Sequence, residues 1–412
     1  MDSGLTLVLF SLFAFGTLAV LFLYPFALWL RTRLGTSSAA SASSADAAVT
    51  ANSAVKSAPT VSLLVTCRNS EALLPRRFEN RRELSLPDGQ LQVVWVSDGS
   101  TDRTAEMLRE EVTPRSGDPK GSDPDRAVIL ETNLGKAEAL NRGAAQCDGE
   151  IIVFSDVDAI LAPDAIEKLL RHFEDPSVGG VCGRRTLERD LTDLTSAQSS
   201  YVGFDSRIKM LESRRGSITS NDGKLYAIRR QLFRSVVEAV TDDLYVALTV
   251  IDQGARFVFE PEARAYIPTP SRSARHELGR RRRVVCRSLR GIARMRHLLD
   301  PRRTGFFGFG LFVNKILRRA MPFFLVGVLV TTALLARSST PFRILCILEW
   351  GLIAAAVAFP LVRKLPLGPF VRALSIPFYF GLGNLGTLLG VLDFFWGRRV
   401  VRWEPQKSGG TA

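Results

Sequence analysis

The stretch IIVFSDVDAIL at residues 151–161 joins an apolar run to two acids and indicates both a fold and a site. Ile151–Ser155 is apolar without alternation, as expected for a strand buried on both faces of a parallel sheet. Asp156 and Asp158 follow directly, so two carboxylates crowd the end of this predicted strand. Such carboxylates repel each other unless a cation binds, and hard divalent ions take carboxylate and phosphate oxygens. The pattern favours a metal-diphosphate site over its alternative, a solvated turn.

Further β-rich runs surround this stretch and alternate with helical segments. We predict strands at Val61–Val65, Leu91–Ser97 and Ala127–Glu131, and helices at Asp102–Glu111 and Lys136–Ala145. Strands separated by helices predict an α/β fold, with a mostly parallel sheet and flanking crossover helices. Ligands of such sheets bind at the carboxyl ends of the strands, so the residues that follow each strand are the main site candidates.

Polar clusters follow all four predicted strands, and this convergence is the strongest functional signal in the chain. The clusters are Thr66–Glu71, Asp98–Asp102, Asn133–Ala137 and Asp156–Asp158. Asp98-Gly99-Ser100 is also ordinary turn chemistry. Gly135-Lys136 lacks the spacing of a P-loop, although a helix N-terminus with a lysine suits a phosphate group. The sequence therefore predicts a phosphate-bearing ligand at one edge of the sheet.

Thr241-Asp242-Asp243 opens a predicted helix that runs to Asp252 and stops at Gly254. Acids at a helix start are common for capping and dipole reasons alone. A transferase, however, needs a carboxylate base near its acceptor hydroxyl, and one of this pair is the natural candidate. The helix-start position is expected to keep Asp243 ionised at neutral pH.

A basic run between Arg280 and Arg296 forms a further feature. The arginines at 280, 283, 287, 290 and 294 recur at spacings of three and four, so they share one face of a predicted helix. Attraction of a juxtamembrane helix to anionic lipid explains most of the run, and a few arginines can also reach a diphosphate. The run contains no aromatic residue for base stacking, which disfavours nucleic acid as a partner.

The composition narrows the class of protein further. The chain has 412 residues, a net charge of +13 and a pI near 10.0, which implies an anionic partner. Five cysteines without a CxxC pair and three histidines predict neither a disulfide framework nor a zinc site.

Long apolar runs at both ends of the chain predict membrane helices. Leu5–Leu30 carries no charge and exceeds the roughly 20 residues needed to span a bilayer. Arg31 and Arg33 follow, so the positive-inside rule places the next segment in the cytoplasm. Further spans are predicted at Met321–Ala336, Ile344–Val362 and Leu374–Trp396.

Two features of this membrane region stay open. The Phe-rich stretch Gly305–Leu317 is either an interfacial amphipathic helix or the start of the next span. Four spans would place the tail outside, whereas its Arg398, Arg399 and Arg402 favour the inside. Either one apolar run is re-entrant or the charge rule fails here. The predicted organisation is a transmembrane helix (1–35), a flexible linker (36–60), a cytoplasmic catalytic domain (61–300), an interfacial helix (301–320), transmembrane helices (321–397) and a basic tail (398–412).

Several motifs together resemble the membrane-embedded family 2 glycosyltransferases, which have the GT-A fold and include the cellulose, hyaluronan and poly-N-acetylglucosamine synthases. The matching stretches are VSLLVTCRNSEALL, VVWVSDGSTDRT, NLGKAEALNRG, FSDVDAIL, DGKLYAIRR, TDDLYVALTVIDQGARFVFEPEA and RRRRVVCRSLRG, between Val61 and Gly291. The resemblance implies inverting transfer of a sugar from a nucleoside diphosphate donor, favours a UDP-sugar over a GDP-sugar, and implies a lipid or glycan acceptor at the membrane.

The resemblance also implies a role for each matching residue. Thr66, Arg68 and Glu71 would border the nucleotide, and Asp98 would contact its base. Lys136 would approach the diphosphate. Asp156 and Asp158 form a DxD pair, with Asp158, assisted by Asp156, holding Mg²⁺ or Mn²⁺. Asp243 would be the general base, with Asp242 beside it. Arg280 and Arg283 stand where the family has QxxRW.

This sequence departs from the family pattern at three positions. Val284 replaces the tryptophan of QxxRW, which puts processive synthesis in doubt, and Arg280 replaces its glutamine. Ser97 replaces the first acid of the usual DDGS motif. Transfer of a single sugar is therefore favoured, and a processive polysaccharide synthase is the alternative. A membrane-anchored protein that binds anionic lipid is the non-enzymatic alternative.

Overall fold

The computed structural model describes residues 3–34, 59–86, 91–113, 125–187, 193–267, 274–362, 365 and 368–398. Most of the predicted linker 36–60 lies outside the described residues. The same holds for most of the predicted basic tail 398–412.

One mixed sheet forms the centre of the part between the apolar ends. Its strands are β1 (Val61–Cys67), β2 (Leu91–Asp98), β3 (Arg126–Leu130), β4 (Ile151–Asp156), β5 (Ile160–Leu161), β6 (Val178–Leu187), β7 (Tyr226–Arg229) and β8 (Arg256–Ile267). Their order is β3-β2-β1-β4-β7-β6-β8-β5. β1 to β4 pair in parallel, whereas β7 is antiparallel to both β4 and β6. The four predicted strands and their parallel pairing are confirmed.

Helices cover both faces of the sheet and continue into the apolar ends. They are α1 (Ser3–Leu18), α2 (Tyr24–Leu34), α3 (Leu74–Glu83), α4 (Thr104–Val112), α5 (Lys136–Ala144), α6 (Ala165–Leu170), α7 (Asp193–Ser213), α8 (Asp242–Asp252), α9 (Ala274–Arg294), α10 (Pro301–Thr304), α11 (Phe306–Leu311), α12 (Met321–Leu335), α13 (Thr340–Val362) and α14 (Gly368–Phe395). The predicted helix at Asp102–Glu111 begins at Thr104, after the turn that follows β2.

The strands lack an alternation of apolar and polar residues because both faces of the sheet are buried. All seven residues of β1 are buried. Trp95 packs edge-on against Phe78 on one face, with the ring centroids 5.2 Å apart. Phe154 stacks on Tyr226 on the other face, at 4.6 Å. Burial of such rings stabilises the sheet from both sides.

Among the described residues, three helical segments are long and apolar enough to cross a membrane: Ser3–Arg33, Thr340–Val362 and Ala373–Phe395. A further pair of segments, Phe306–Arg319 and Met321–Leu335, passes the same test only together and is bent by 54°. The predicted interfacial helix at 301–320 is therefore not one continuous helix. It breaks at Gly305, which has a φ of +59°, and includes a π-helical turn.

A buried hydrogen-bond network joins the N-terminal apolar helix to the sheet domain and to the bent pair. The Tyr24 hydroxyl donates to Glu212 Oε1 at 2.5 Å, and the Thr219 hydroxyl donates to the same oxygen at 2.7 Å. Asn314 Nδ2 donates to Thr219 Oγ1 at 2.9 Å. Buried polar groups need such partners, so the network fixes one position of α2 against the domain.

The arginine helix α9 packs along α14 instead of facing lipid as a whole. A Cβ on Gly386 would lie 2.9 Å from Arg281 Cβ, and a Cβ on Gly390 would lie 2.7 Å from Val285 Cβ. Arg282 forms an ion pair with Asp393. Lipid attraction therefore does not explain the basic run as a whole, because some of its arginines neutralise buried acids.

Candidate active site

A chain of ion pairs joins the end of β4 to the start of α8. Lys136 Nζ lies 2.8 Å from both Asp156 Oδ1 and Asp242 Oδ2. Lys224 Nζ lies 2.9 Å from Asp156 Oδ2 and 2.7 Å from Asp158 Oδ1. Four of the predicted site residues therefore meet at one place, together with Lys224, for which no role is predicted from the sequence.

The protonation states in this chain follow from burial and ion pairing. Burial alone would raise the pKa of Asp156, but Lys136 and Lys224 hold it well below its usual range. Burial would lower the pKa values of both lysines, but the adjacent aspartates raise them well above the usual value. Asp156 is thus ionised and both lysines are charged at neutral pH.

Asp243 occupies a different environment from its neighbours. Its Oδ2 accepts from the Gly223 N–H at 3.0 Å and its Oδ1 from the Leu244 N–H at 2.7 Å. Burial, followed by the charges of Asp242 and Asp222, raises the pKa of Asp243 to about 7. The expectation that the helix start keeps this group ionised is wrong, because desolvation and like charges outweigh the helix dipole.

Asp98 fixes the loop that leads into α5. Its two carboxylate oxygens accept from the backbone N–H groups of Leu134 at 2.8 Å and Gly135 at 3.0 Å. A Cβ on Gly99, where φ is +58°, would lie 2.3 Å from the Asn133 nitrogen, so only glycine fits this crossing. Asp98 is 5% exposed and positions Lys136; its predicted contact with the nucleotide base stays a prediction.

Residues at the end of β1 and directly after it lie at the same edge of the sheet. Thr66 pairs in register with Asp156 and is buried. Arg68 Nε and Nη1 are buried and have no hydrogen-bond partner within the described parts of the chain. Glu71 is exposed, and its Oε2 accepts from the Arg103 N–H at 3.0 Å. Because buried donors without acceptors are costly, Arg68 suits an anionic ligand at this edge.

The two predicted arginines of α9 have different surroundings. Arg280 Nη2 lies 2.9 Å from Glu277 Oε1, which neutralises its charge. Burial lowers the pKa of Arg283, as do the charges of Arg287 and Arg280, whereas Asp242 raises it. Arg283 therefore belongs to the electrostatic environment of the ion-pair chain, and Arg280 is mainly paired within its own helix.

Sequence reasoning missed two basic residues near the acids. Lys224 lies in the motif DGKLYAIRR, but the polar residues at the start of this motif indicate only a turn. Arg77 is fully buried in α3, where its Nη1 donates to Asn80 Oδ1 at 2.6 Å. Burial lowers the pKa of Arg77 to about 10, against the opposing charges of Asp158 and Asp156. Arg77 lies in the polar run LPRRFENRRE, and nothing in that run indicates that one of its arginines is buried.

The carboxylates of Asp156 and Asp158 fit a divalent ion. Both already converge on one cation, the Lys224 ammonium, and ionised oxygens are what Mg²⁺ and Mn²⁺ prefer. No group of three or more His, Cys, Asp or Glu side chains is arranged to hold a metal within the residues that the structure describes. Such an ion would need further oxygens from substrate phosphates and water, as is usual for Mg²⁺.

Comparison with known proteins agrees with this geometry. A model described as glycosyl transferase family 2 matches residues 62–237, and one described as glycosyl transferase family group 2 matches residues 151–363. The mannosyltransferase PcManGT from Pyrobaculum calidifontis, solved with GDP-Man and Mn²⁺, has a TM-score of 0.66 at 19% identity. That alignment covers 95% of this chain and 99% of the other, and it shows that the fold is GT-A.

Two curated relatives are similar over part of their length. A beta-monoglucosyldiacylglycerol synthase of Nostoc sp. is 29% identical over 197 residues, which cover 46% of this chain and 40% of the relative. A poly-beta-1,6-N-acetyl-D-glucosamine synthase of Staphylococcus epidermidis is 25% identical over 216 residues, which cover 51% and 50%. The matched region thus spans half or less of each relative. The fold, the acid cluster and the family matches agree, and the chain belongs to the family 2 glycosyltransferases.

Proposed function

We propose that this glycosyltransferase moves a sugar, with inversion and with the help of a divalent metal, from a nucleoside diphosphate donor to a lipid or glycan acceptor at a membrane. The observation that carries the proposal is the ion-pair chain that runs from Asp158 through Lys224, Asp156 and Lys136 to Asp242, with Asp243 next in sequence. It brings cation-binding acids and a candidate base to one edge of the sheet.

Each group has a role in this reaction. Asp243 removes the proton from the acceptor hydroxyl, whose oxygen bonds to the anomeric carbon while the bond from that carbon to the diphosphate breaks. A pKa of about 7 suits this task, because a general base works best when its pKa lies near the working pH. A divalent ion on Asp158 and Asp156 would neutralise the departing diphosphate. Arg68 and Lys136 would add positive charge at the same edge.

Two observations support a single transfer to a lipid-linked acceptor. One relative is named for a diacylglycerol product. Position 284 carries a valine that is 39% exposed, where an aromatic residue would be needed to hold a growing glycan. The other relative is named as a polymer synthase, which keeps processive synthesis as the second candidate. Sizing the product made from a labelled donor distinguishes the two.

We further propose that the sheet domain is cytoplasmic and that the bent pair is re-entrant. Arg31 and Arg33 follow the first span, and the ion pair between Arg282 and Asp393 places the end of α14 beside the domain. Three spans with a re-entrant pair would put Arg398 on the same side as Arg31, as the positive-inside rule requires. This arrangement removes the conflict that four spans create.

Activity with and without metal tests the proposal. Purified protein in lipid nanodiscs is incubated with a panel of labelled UDP- and GDP-sugars and with lipid acceptors. We expect transfer with Mn²⁺ or Mg²⁺ and a loss of about 100-fold or more in chelator or in Asp158→Ala, because several kcal/mol of charge stabilisation is removed. Asp164→Ala, which changes a surface acid at the start of α6, should stay active. Full activity in chelator would exclude the metal-dependent mechanism.

A further inference from the structure

Lys224 occupies the place between the two acids of the DxD pair. Its Nζ lies 2.7 and 2.9 Å from the two oxygens of Asp158 and 2.9 Å from Asp156 Oδ2. One ammonium group therefore binds three of the four carboxylate oxygens that would hold a metal. Its side chain is 20% exposed, so water screens these contacts only in part.

The backbone of Lys224 is fixed on both sides of this position. Its carbonyl accepts from the Ser155 hydroxyl at 3.1 Å, and its N–H donates to Asp222 Oδ1 at 3.2 Å. The preceding residue, Gly223, donates to Asp243. The main chain thus holds the lysine beside β4, and only its long side chain is free to change rotamer.

A divalent ion and the Lys224 ammonium compete for the same oxygens. A metal bound to Asp158 and Asp156 takes the lone pairs that now accept from Nζ. The displaced ammonium then lies in a site that has gained two positive charges, which is unfavourable in a partly buried place. A diphosphate brings a compensating negative charge and offers the ammonium new acceptor oxygens. Metal and diphosphate entering together avoid both costs.

We propose that Lys224 is a resident counter-ion of the DxD pair, which excludes free divalent metal and makes tight metal binding depend on the donor diphosphate. This inference rests on the proposed function, since it takes Asp156 and Asp158 as metal ligands. It assigns to Lys224 control over the order of binding. In the donor-free enzyme the lysine keeps the acids paired, and on donor binding it moves from the carboxylates to the diphosphate oxygens.

Mn²⁺ binding without donor tests this role and needs no turnover. Electron paramagnetic resonance measures free Mn²⁺ during titration of full-length wild type, Lys224→Met and Lys224→Gln. Lys224→Gln is used in place of Lys224→Met if the methionine variant does not fold. Lys168→Met is the matched control, since Lys168 also pairs with an aspartate, Asp164, but on the surface of α6. We expect Lys224→Met to bind Mn²⁺ about 10-fold or more tightly than wild type, and Lys168→Met to match wild type.

A second titration, with UDP present, measures how strongly the binding of UDP and the binding of Mn²⁺ depend on each other. We expect UDP to tighten Mn²⁺ binding strongly in wild type and much less in Lys224→Met, because the metal no longer has to displace a lysine. Equal donor-free affinities in wild type and both Lys224 variants would overturn the proposal for Lys224 while leaving the metal site intact. Absence of Mn²⁺ binding in every protein, even with UDP, would overturn the metal site as well.

Discussion

Asp243→Asn is expected to lose about 10²–10⁴-fold in kcat while it binds donor nucleotide as wild type does. Asparagine keeps the size of the side chain and can still accept from Gly223 N–H, but it cannot take a proton from an acceptor hydroxyl. Steady-state transfer rates and calorimetric titration with UDP measure the two quantities separately. Asp252→Asn is the matched control, because Asp252 lies at the other end of α8 and pairs with His297 on the surface.

The pH dependence of the rate identifies Asp243 independently. Its pKa is raised to about 7, so the carboxyl group is protonated and inactive as a base below that pH and ionised above it. The kcat of wild type should therefore rise as the pH passes from 6 to about 8 and then level off. The residual rate of Asp243→Asn should lack this rise. A variant within tenfold of the wild-type rate, with the same pH profile, would show that another group is the base.

Lys136→Met is expected to lower the free energy of unfolding by about 3 kcal/mol, besides reducing transfer. The substitution removes the ion pair of the largely buried Asp242 and leaves Asp156 paired with Lys224 alone. Removing one partner of a buried ion pair costs about 3–5 kcal/mol, because the remaining charge is uncompensated.

Thermal unfolding in detergent measures this loss, which should lower the midpoint by roughly 5–10 °C. Lys168→Met breaks a surface pair and should cost about 0.5 kcal/mol or less. In Lys136→Met, the further change Asp242→Asn should recover part of the loss, since it removes the buried charge that has lost its ion pair. Equal midpoints for Lys136→Met and Lys168→Met would show that the ion-pair chain does not contribute to stability.

Local sequence determined the parallel half of the sheet and the position of its ligand edge. Runs such as Ile151–Ser155 show no alternation of apolar and polar residues, which is typical of strands that are buried on both faces of a parallel sheet. The residues that follow such strands then lie at the same edge of the sheet. Asp156 and Lys136 could therefore be expected near one another. The resemblance to family 2 glycosyltransferases added roles that spacing alone does not give.

Features that depend on distant contacts could not be predicted. The pKa of Asp243 depends partly on Asp222, which lies on the other side of β7 in sequence. The basic run of α9 is partly neutralised by Asp393 of α14, 111 residues away. Lys224 belongs to a short polar turn, where a lysine is ordinarily solvated. The sequence shows which residues carry a charge, but only the fold determines which groups lie next to each charged residue.

Locating Mn²⁺ in the protein bound to UDP tests the central claim most directly. Crystals of the full chain grown with UDP and Mn²⁺, measured near the manganese absorption edge, give the position of the metal from its anomalous signal. The account predicts one strong peak between the carboxylates of Asp156 and Asp158, in contact with the diphosphate and on the same edge of the sheet as Asp243. A nucleotide bound away from the end of β4, or manganese bound without either aspartate, would contradict it.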